Sequence, residues 1–140
     1  MSLAKIVILV FILLELSNVL MLYFAPGSKN ANAVGVFIAW ERSKEYPEIH
    51  DFIKYLVNWV AGAKLIFLLL LTMIILYADI NTQKMSLIAL AIATASFFWR
   101  LFPLIKKMDK KGEIAPKNYS TLLGVMIFVF IAVFLIAAII

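Results

Sequence analysis

Residues 55–77 read YLVNWVAGAKLIFLLLLTMIILY, and this stretch decides the fold class. It holds one charge, Lys64, in an otherwise apolar run with polar Asn58 and Thr72, and Lys54 and Asp79 mark its ends. At 1.5 Å per residue such a run is long enough as an α-helix to cross roughly 30 Å of hydrocarbon. Only a helix satisfies every backbone polar group within a single segment there. The reading is a transmembrane helix with an ammonium group near its middle.

Three more stretches repeat the pattern. Residues 6–24 run between Lys5 and Pro26-Gly27 with Glu15 at the centre. Residues 85–102 close on Trp99, Arg100 and Pro103, and residues 119–140 carry no charge. Tyr23, Tyr55, Tyr77, Trp99 and Tyr119 fall at the expected ends, where amphipathic rings settle. The small-residue triplet Ala31-Asn32-Ala33 matches a signal-peptide cleavage pattern. The nearly span-length apolar run with its internal Glu15 argues instead for a retained helix. Residues 33–40 are apolar but too short to cross, so a helix lying at the interface is expected, with a re-entrant element lining a site as the alternative.

Composition agrees. The chain of 140 residues is 65% hydrophobic and 15% charged, whereas soluble domains are about 45–50% apolar and about 25% charged. Four spans use most of the length, so one membrane domain over residues 1–140 is expected: an all-α antiparallel bundle of four transmembrane helices with a short interfacial helix between the first and second. There is no cysteine, which excludes disulfides, thiolate metal sites and cysteine nucleophiles. A single histidine, His50, excludes a multi-His metal site within one chain. No internal repeat is present. No cofactor and no nucleic-acid partner are expected. The net charge of +5 lies beside apolar spans, where anionic lipid headgroups are the natural partner, above all for Lys106, Lys107, Lys110 and Lys111.

Lysine and arginine counts orient the chain. The connection after the first span carries Lys29, Arg42, Lys44 and Lys54, and that after the third carries Arg100, Lys106, Lys107, Lys110, Lys111 and Lys117. The other side has Lys5, Lys84 and the amino terminus. Both larger connections are expected in the cytoplasm and both termini on the non-cytoplasmic side.

Glu15 is the most informative residue. A carboxylate near a bilayer centre is costly and usually faces a bundle interior. Asn18 lies three residues on and shares its helical face. Lys64 is the complementary group, preceded by Ala61, Gly62 and Ala63. From Phe24 to Glu15 and from Tyr55 to Lys64 the helix runs about nine residues, or roughly 13 Å, so antiparallel helices bring both charges to one depth. Two readings stay open. The pair is structural, with Asn18 and Asn58 fixing helix register through hydrogen bonds. Alternatively it is a proton- or cation-exchanging carboxylate tuned by a neighbouring ammonium.

Ser86, Ala89, Ala93 and Ser96 recur at helical spacing, a small-residue stripe that lets helices approach closely. Glu41, Glu45, Glu48, His50 and Asp51 form an acidic interfacial segment whose carboxylates and imidazole suit a divalent metal or an acid–base pair. Interleaved Arg42, Lys44 and Lys54 favour a solvated juxtamembrane helix, and metal binding is left open. No nucleophile elbow, phosphate-binding glycine loop or metalloprotease motif occurs. Four spans and a first-helix acid in a chain this short resemble the small multidrug-resistance carriers. The long connection from Pro26 to Lys54 and the sequence Leu14-Glu15-Leu16-Ser17-Asn18 depart from that pattern, and the chain is not assigned to the family. Three functions follow: an oligomeric transporter or channel with Glu15, Asn18, Asn58 and Lys64 at its pathway; an accessory subunit of a membrane complex; or an interfacial lipid-modifying enzyme. The balance is against an enzyme, and a homo-oligomer or hetero-complex is expected.

Overall fold

The computed structural model describes residues 1–140. It is helical throughout: α1 Leu3–Phe24, a 3₁₀ turn Val34–Val36, α2 Ile38–Ser43, α3 Pro47–Tyr77, α4 Ile80–Ala95, α5 Phe97–Lys110 and α6 Tyr119–Ile139. Four helical stretches are long and apolar enough to cross a membrane, the third being α4 and α5 together.

The ends follow local chemistry. Ser2 caps α1 by accepting from the Lys5 N–H at 3.2 Å, and Pro26 just beyond Ala25 forbids continuation. Pro47 opens α3 about two turns before Tyr55, because its fixed φ suits the first helical position. Glu48 in the first turn complements the helix dipole and Asp51 pairs with Lys54 at 3.6 Å, so the helix begins ahead of its apolar stretch. Asp79 caps α4 through the Thr82 N–H at 2.7 Å. That backbone hydrogen bond, with the Thr82 hydroxyl second, holds the Asp79 carboxyl below the usual carboxylate range.

The third apolar stretch departs most from expectation. It does not close at Phe102: after a break at Ser96 the chain continues as α5 to Lys110. At the break the Ser96 N–H is shared between the Ile92 and Ala93 carbonyls, and its hydroxyl donates to the Ala93 carbonyl at 2.6 Å, a side-chain bond that competes with the helical ladder. The Trp99 N–H bonds Ser96 one residue tighter than an α-helix, at 3.1 Å. Pro103 lies inside α5, and the helix continues past it to Lys110. The interfacial element also differs. Residues 33–40 form a 3₁₀ turn and the start of α2, separated by an extended Phe37. Phe37 bridges Ile114, with Ile38 N–H to Glu113 at 3.0 Å and Ala115 N–H to Val36 at 2.9 Å.

These bonds bring the connections 25–46 and 111–118 together, so the two basic connections share one end. At the other end Ser2 Oγ lies 3.4 Å from Gln83 Oε1. The Asp109 carboxylate serves as the missing cap of α6, accepting from Asn118 N–H (3.1 Å), Ser120 N–H (2.9 Å) and Ser120 hydroxyl (2.7 Å).

Helix α1 packs on α3, and α4 on α6, with α1 joining the two pairs. Ile8, Leu87 and Phe134 are sealed at the centre. Phe11 meets Phe67, Phe130 and Phe134 edge-on, at centroid distances of 6.0, 5.8 and 5.0 Å. A smaller cluster of Val36, Ile105, Ile114 and Leu123 lies under the connections. On α4 it is Leu87, Leu90 and Ala91 that are buried, not the small-residue stripe. Ser86 is half-buried, and Ala89, Ala93 and Ser96 are exposed. Their angular offset from the leucines on a 3.6-residue helix turns them away from the core. Only 27 of 140 residues are buried, and the outward faces are apolar, with Leu13, Ile66, Ile92 and Phe128 each more than half exposed.

Candidate functional site

Glu15 and Asn18 project from one face of α1, and Lys64 meets them from α3. The Lys64 ammonium lies 2.6 Å from Glu15 Oε2 and donates to Asn18 Oδ1, also at 2.6 Å. With the amide oxygen turned to Lys64, the Asn18 Nδ2 group faces the opposite way. There it donates to the carbonyl of Ala31 and, at 3.2 Å, to that of Asn32. Asn18 is buried, and both ends of its amide are satisfied.

Those carbonyls belong to the connection after α1, which folds back on itself. Gly35 N–H bonds Ser28 and Val34 N–H bonds Pro26, both at 3.0 Å, so the segment between them forms a hairpin-like loop. Its tip places Ala31 and Asn32 in the left-handed region, with φ of 49° and 56°. Asparagine tolerates that conformation and alanine does not favour it. Six residues separate Asn18 from Phe24, so the tip reaches about 9 Å below the end of α1. Residues 28–33 form this loop, whereas residues 33–40, for which a re-entrant element was the alternative, make the 3₁₀ turn and the start of α2. The Tyr119 hydroxyl at the start of α6 donates to Asn32 Oδ1 at 2.7 Å and ties the tip to a third helix.

Around this network lies a cavity of about 680 Å³. Loop residues Lys29 to Asn32 line it, and Phe11, Phe67 and Phe130 line the side one turn beyond Glu15 and Lys64. Ala93, Thr94 and Ser96 of α4 border it, so the small side chains that do not pack helices leave room for this space. The Glu15 and Lys64 side chains keep 23% and 28% of their surface exposed. A sealed core pair would keep almost none.

Other candidates lie apart. Asn58 is exposed and contributes nothing to the cavity. Six residues at about 100° each turn it about 120° away from Lys64. The acidic segment does not converge. Glu41 pairs with Lys44 at 2.7 Å and Asp51 with Lys54, while Glu45 and Glu48 are exposed. His50 is directed at Ser43, with Nδ1 at 2.7 Å from the hydroxyl, and lies 4.8 Å from the Trp40 ring. No three acidic or imidazole side chains come close enough to hold a metal ion. Lys106, Lys107, Lys110 and Lys111 line a separate shallow groove on the outer side of α5, with Pro103.

Sequence reasoning missed Lys29, Asn30, Asn32 and Tyr119. The one local signal was Asn30-Ala-Asn32, asparagines spaced as in tight turns. Comparison with protein families, with characterised proteins and with solved structures finds no match for this chain.

Proposed function

We propose that this chain is a multi-pass membrane carrier or channel whose pathway is the cavity bounded by Glu15, Asn18 and Lys64. One observation carries the reading: the acid–base pair lines an accessible space instead of being sealed in the core. A carboxylate held against an ammonium exchanges a proton or a ligand only if something can reach it. The four apolar stretches, as spans crossing in alternate directions, account for the outward apolar faces, which lipid covers as water cannot. Proton flux tests the reading. Proteoliposomes of the wild type should dissipate an imposed pH gradient, followed with an enclosed pH-sensitive dye. Glu15→Gln, which keeps shape and removes the charge, should lower that rate at least tenfold. A wild-type rate equal to that of empty liposomes rejects the proposal.

The orientation proposal places both basic connections in the cytoplasm. Single cysteines at Lys29 and Lys110 should then be shielded from an impermeant thiol reagent in intact cells, and one at Asn81 should label. The reverse pattern overturns it. A cysteine at Lys44 should behave as the one at Lys29; unlike labelling would mean that residues 33–40 cross.

A second reading, an accessory subunit or self-associating chain, draws on the exposed small residues Ala89, Ala93 and Ser96. They form a face that a further helix can approach closely, at the border of the cavity. Cross-linking through a cysteine at Ala89 distinguishes a second copy, which gives a symmetric dimer, from a different partner. The lysines of α5 fit anionic headgroups in either case.

A further inference from the structure

Resting on the pathway reading, we infer that the cavity receives a small amphiphile bearing a single negative charge, its head between Lys29 and Lys64 and its tail along α6. The sign follows from the charges that line the space. There are two ammonium groups, Lys29 and Lys64, and one carboxylate, Glu15. Glu15 and Lys64 neutralise each other at 2.6 Å. Lys29 has no carboxylate within salt-bridge distance, so one positive charge remains without a partner. Lys64 also keeps donor capacity. An ammonium has three N–H groups, and two are used on Glu15 and Asn18. The side-chain amide of Asn30, beside Lys29 in the lining, has no hydrogen-bond partner within the chain. An entering cation would meet two like charges against one opposite charge. An anion meets an unpaired ammonium, a spare donor and a free amide, the combination that binds a carboxylate or phosphate oxygen strongly.

The rest of the lining sets the other half of the ligand. Fourteen of the 23 lining residues are hydrophobic, among them Leu122, Met126 and Phe130 on successive turns of α6. Methionine adapts to irregular chains, and phenyl rings give broad apolar contact. The volume of about 680 Å³ lies inside the range of about 300–1,000 Å³ typical of small-molecule sites. A compact inorganic anion would leave most of this apolar wall uncovered.

Equilibrium binding tests the inference without needing transport. Radiolabelled dodecanoate is titrated onto the full chain in phosphatidylcholine nanodiscs, with empty discs subtracted. Saturable binding near one per chain is expected. Lys29→Glu should weaken it at least tenfold and Lys29→Arg should preserve it, both with unchanged thermal unfolding because Lys29 is exposed. Unlabelled dodecyltrimethylammonium and dodecanol should compete at least tenfold less well than dodecanoate. Equal competition by the cation or the alcohol overturns the charge assignment, as does unaltered binding by Lys29→Glu. No saturable binding overturns the inference, while the proton-flux result on Glu15→Gln still decides the pathway reading by itself. Displacement by phosphatidylglycerol added to the discs would identify a bilayer lipid as the source of the anion. No displacement would identify a free single-chain amphiphile, and either result agrees with the proposal.

Discussion

Glu15→Leu and Lys64→Leu should each destabilise the chain by about 3 kcal/mol, and the double replacement should recover most of that loss. Breaking a buried ion pair commonly costs about 3–5 kcal/mol, because the remaining charge is left without compensation, whereas exchanging both members for apolar groups is often nearly neutral. The lower end applies here, since both side chains remain partly open to the cavity and water there screens the charge. Asn18 makes the two single changes unequal. Without Glu15, the Lys64 ammonium still has the Asn18 oxygen at 2.6 Å; without Lys64, Glu15 has no other hydrogen-bond partner. Lys64→Leu should therefore be the more damaging of the two. Unfolding by denaturing detergent in mixed micelles measures all four species of the cycle. A coupling energy near zero would reject a direct interaction. The same variants separate structure from function. A stable double mutant without proton flux assigns the charges to transport, and one that keeps full flux assigns them to packing.

The second large effect concerns a residue with no side chain. Gly35→Ala should destabilise the loop by about 3 kcal/mol, the upper part of the range for overpacking, because the opposing atoms are backbone and cannot rotate aside. A methyl group built at Gly35 would fall on the Gly27 carbonyl and against the Ser28 carbonyl oxygen. Those are the two strands of the hairpin-like loop, held by the Gly35 N–H bond to Ser28 at 3.0 Å. Forcing them apart withdraws the Ala31 and Asn32 carbonyls from Asn18, and with them the group that orients Asn18 towards Lys64. Gly35→Ala should thus also lower the Glu15–Lys64 coupling, although it touches neither residue. Gly62→Ala is the control. Its added methyl meets only the Tyr23 hydroxyl, at 3.3 Å, and alanine favours the helix, so the change should stay within about 1 kcal/mol. If Gly35→Ala leaves both stability and coupling unchanged, the loop does not hold Asn18 in place.

The reach of the amino-acid sequence can be judged residue by residue. Runs such as 55–77 and 119–140 determine four long apolar helices by themselves, because length and the absence of charge are local properties that no tertiary contact needs to supply. The matching of Glu15 with Lys64 was legible for a related reason: helix rise is constant, so counting residues from the ends gives the depth of each charge. Rotation about the helix axis was not legible in the same way. Spacing marked Asn58 as a partner for a neighbouring helix and the stripe from Ser86 to Ser96 as a face for close helix approach, without saying which helix. Asn58 and most of the stripe are exposed. Which face turns inward depends on what the neighbouring helices fill, and Leu87 and Leu90 fill that space on α4. Proline gave the wrong limit at Phe102: Pro103 lies inside α5, where its missing N–H costs one bond to the Trp99 carbonyl, yet the helix runs on to Lys110. The connection after α1 was beyond sequence reasoning. Nothing local says that residues 28–33 fold back some 9 Å along α1, because that path is set by the distant groups that receive it: Asn18 on α1 and Tyr119 on α6. The sequence by itself determined the helices and the charges they carry. Only the tertiary structure decided that a loop, two lysines and one acid share a cavity, since a cavity is a property of surfaces that meet and no single segment contains it.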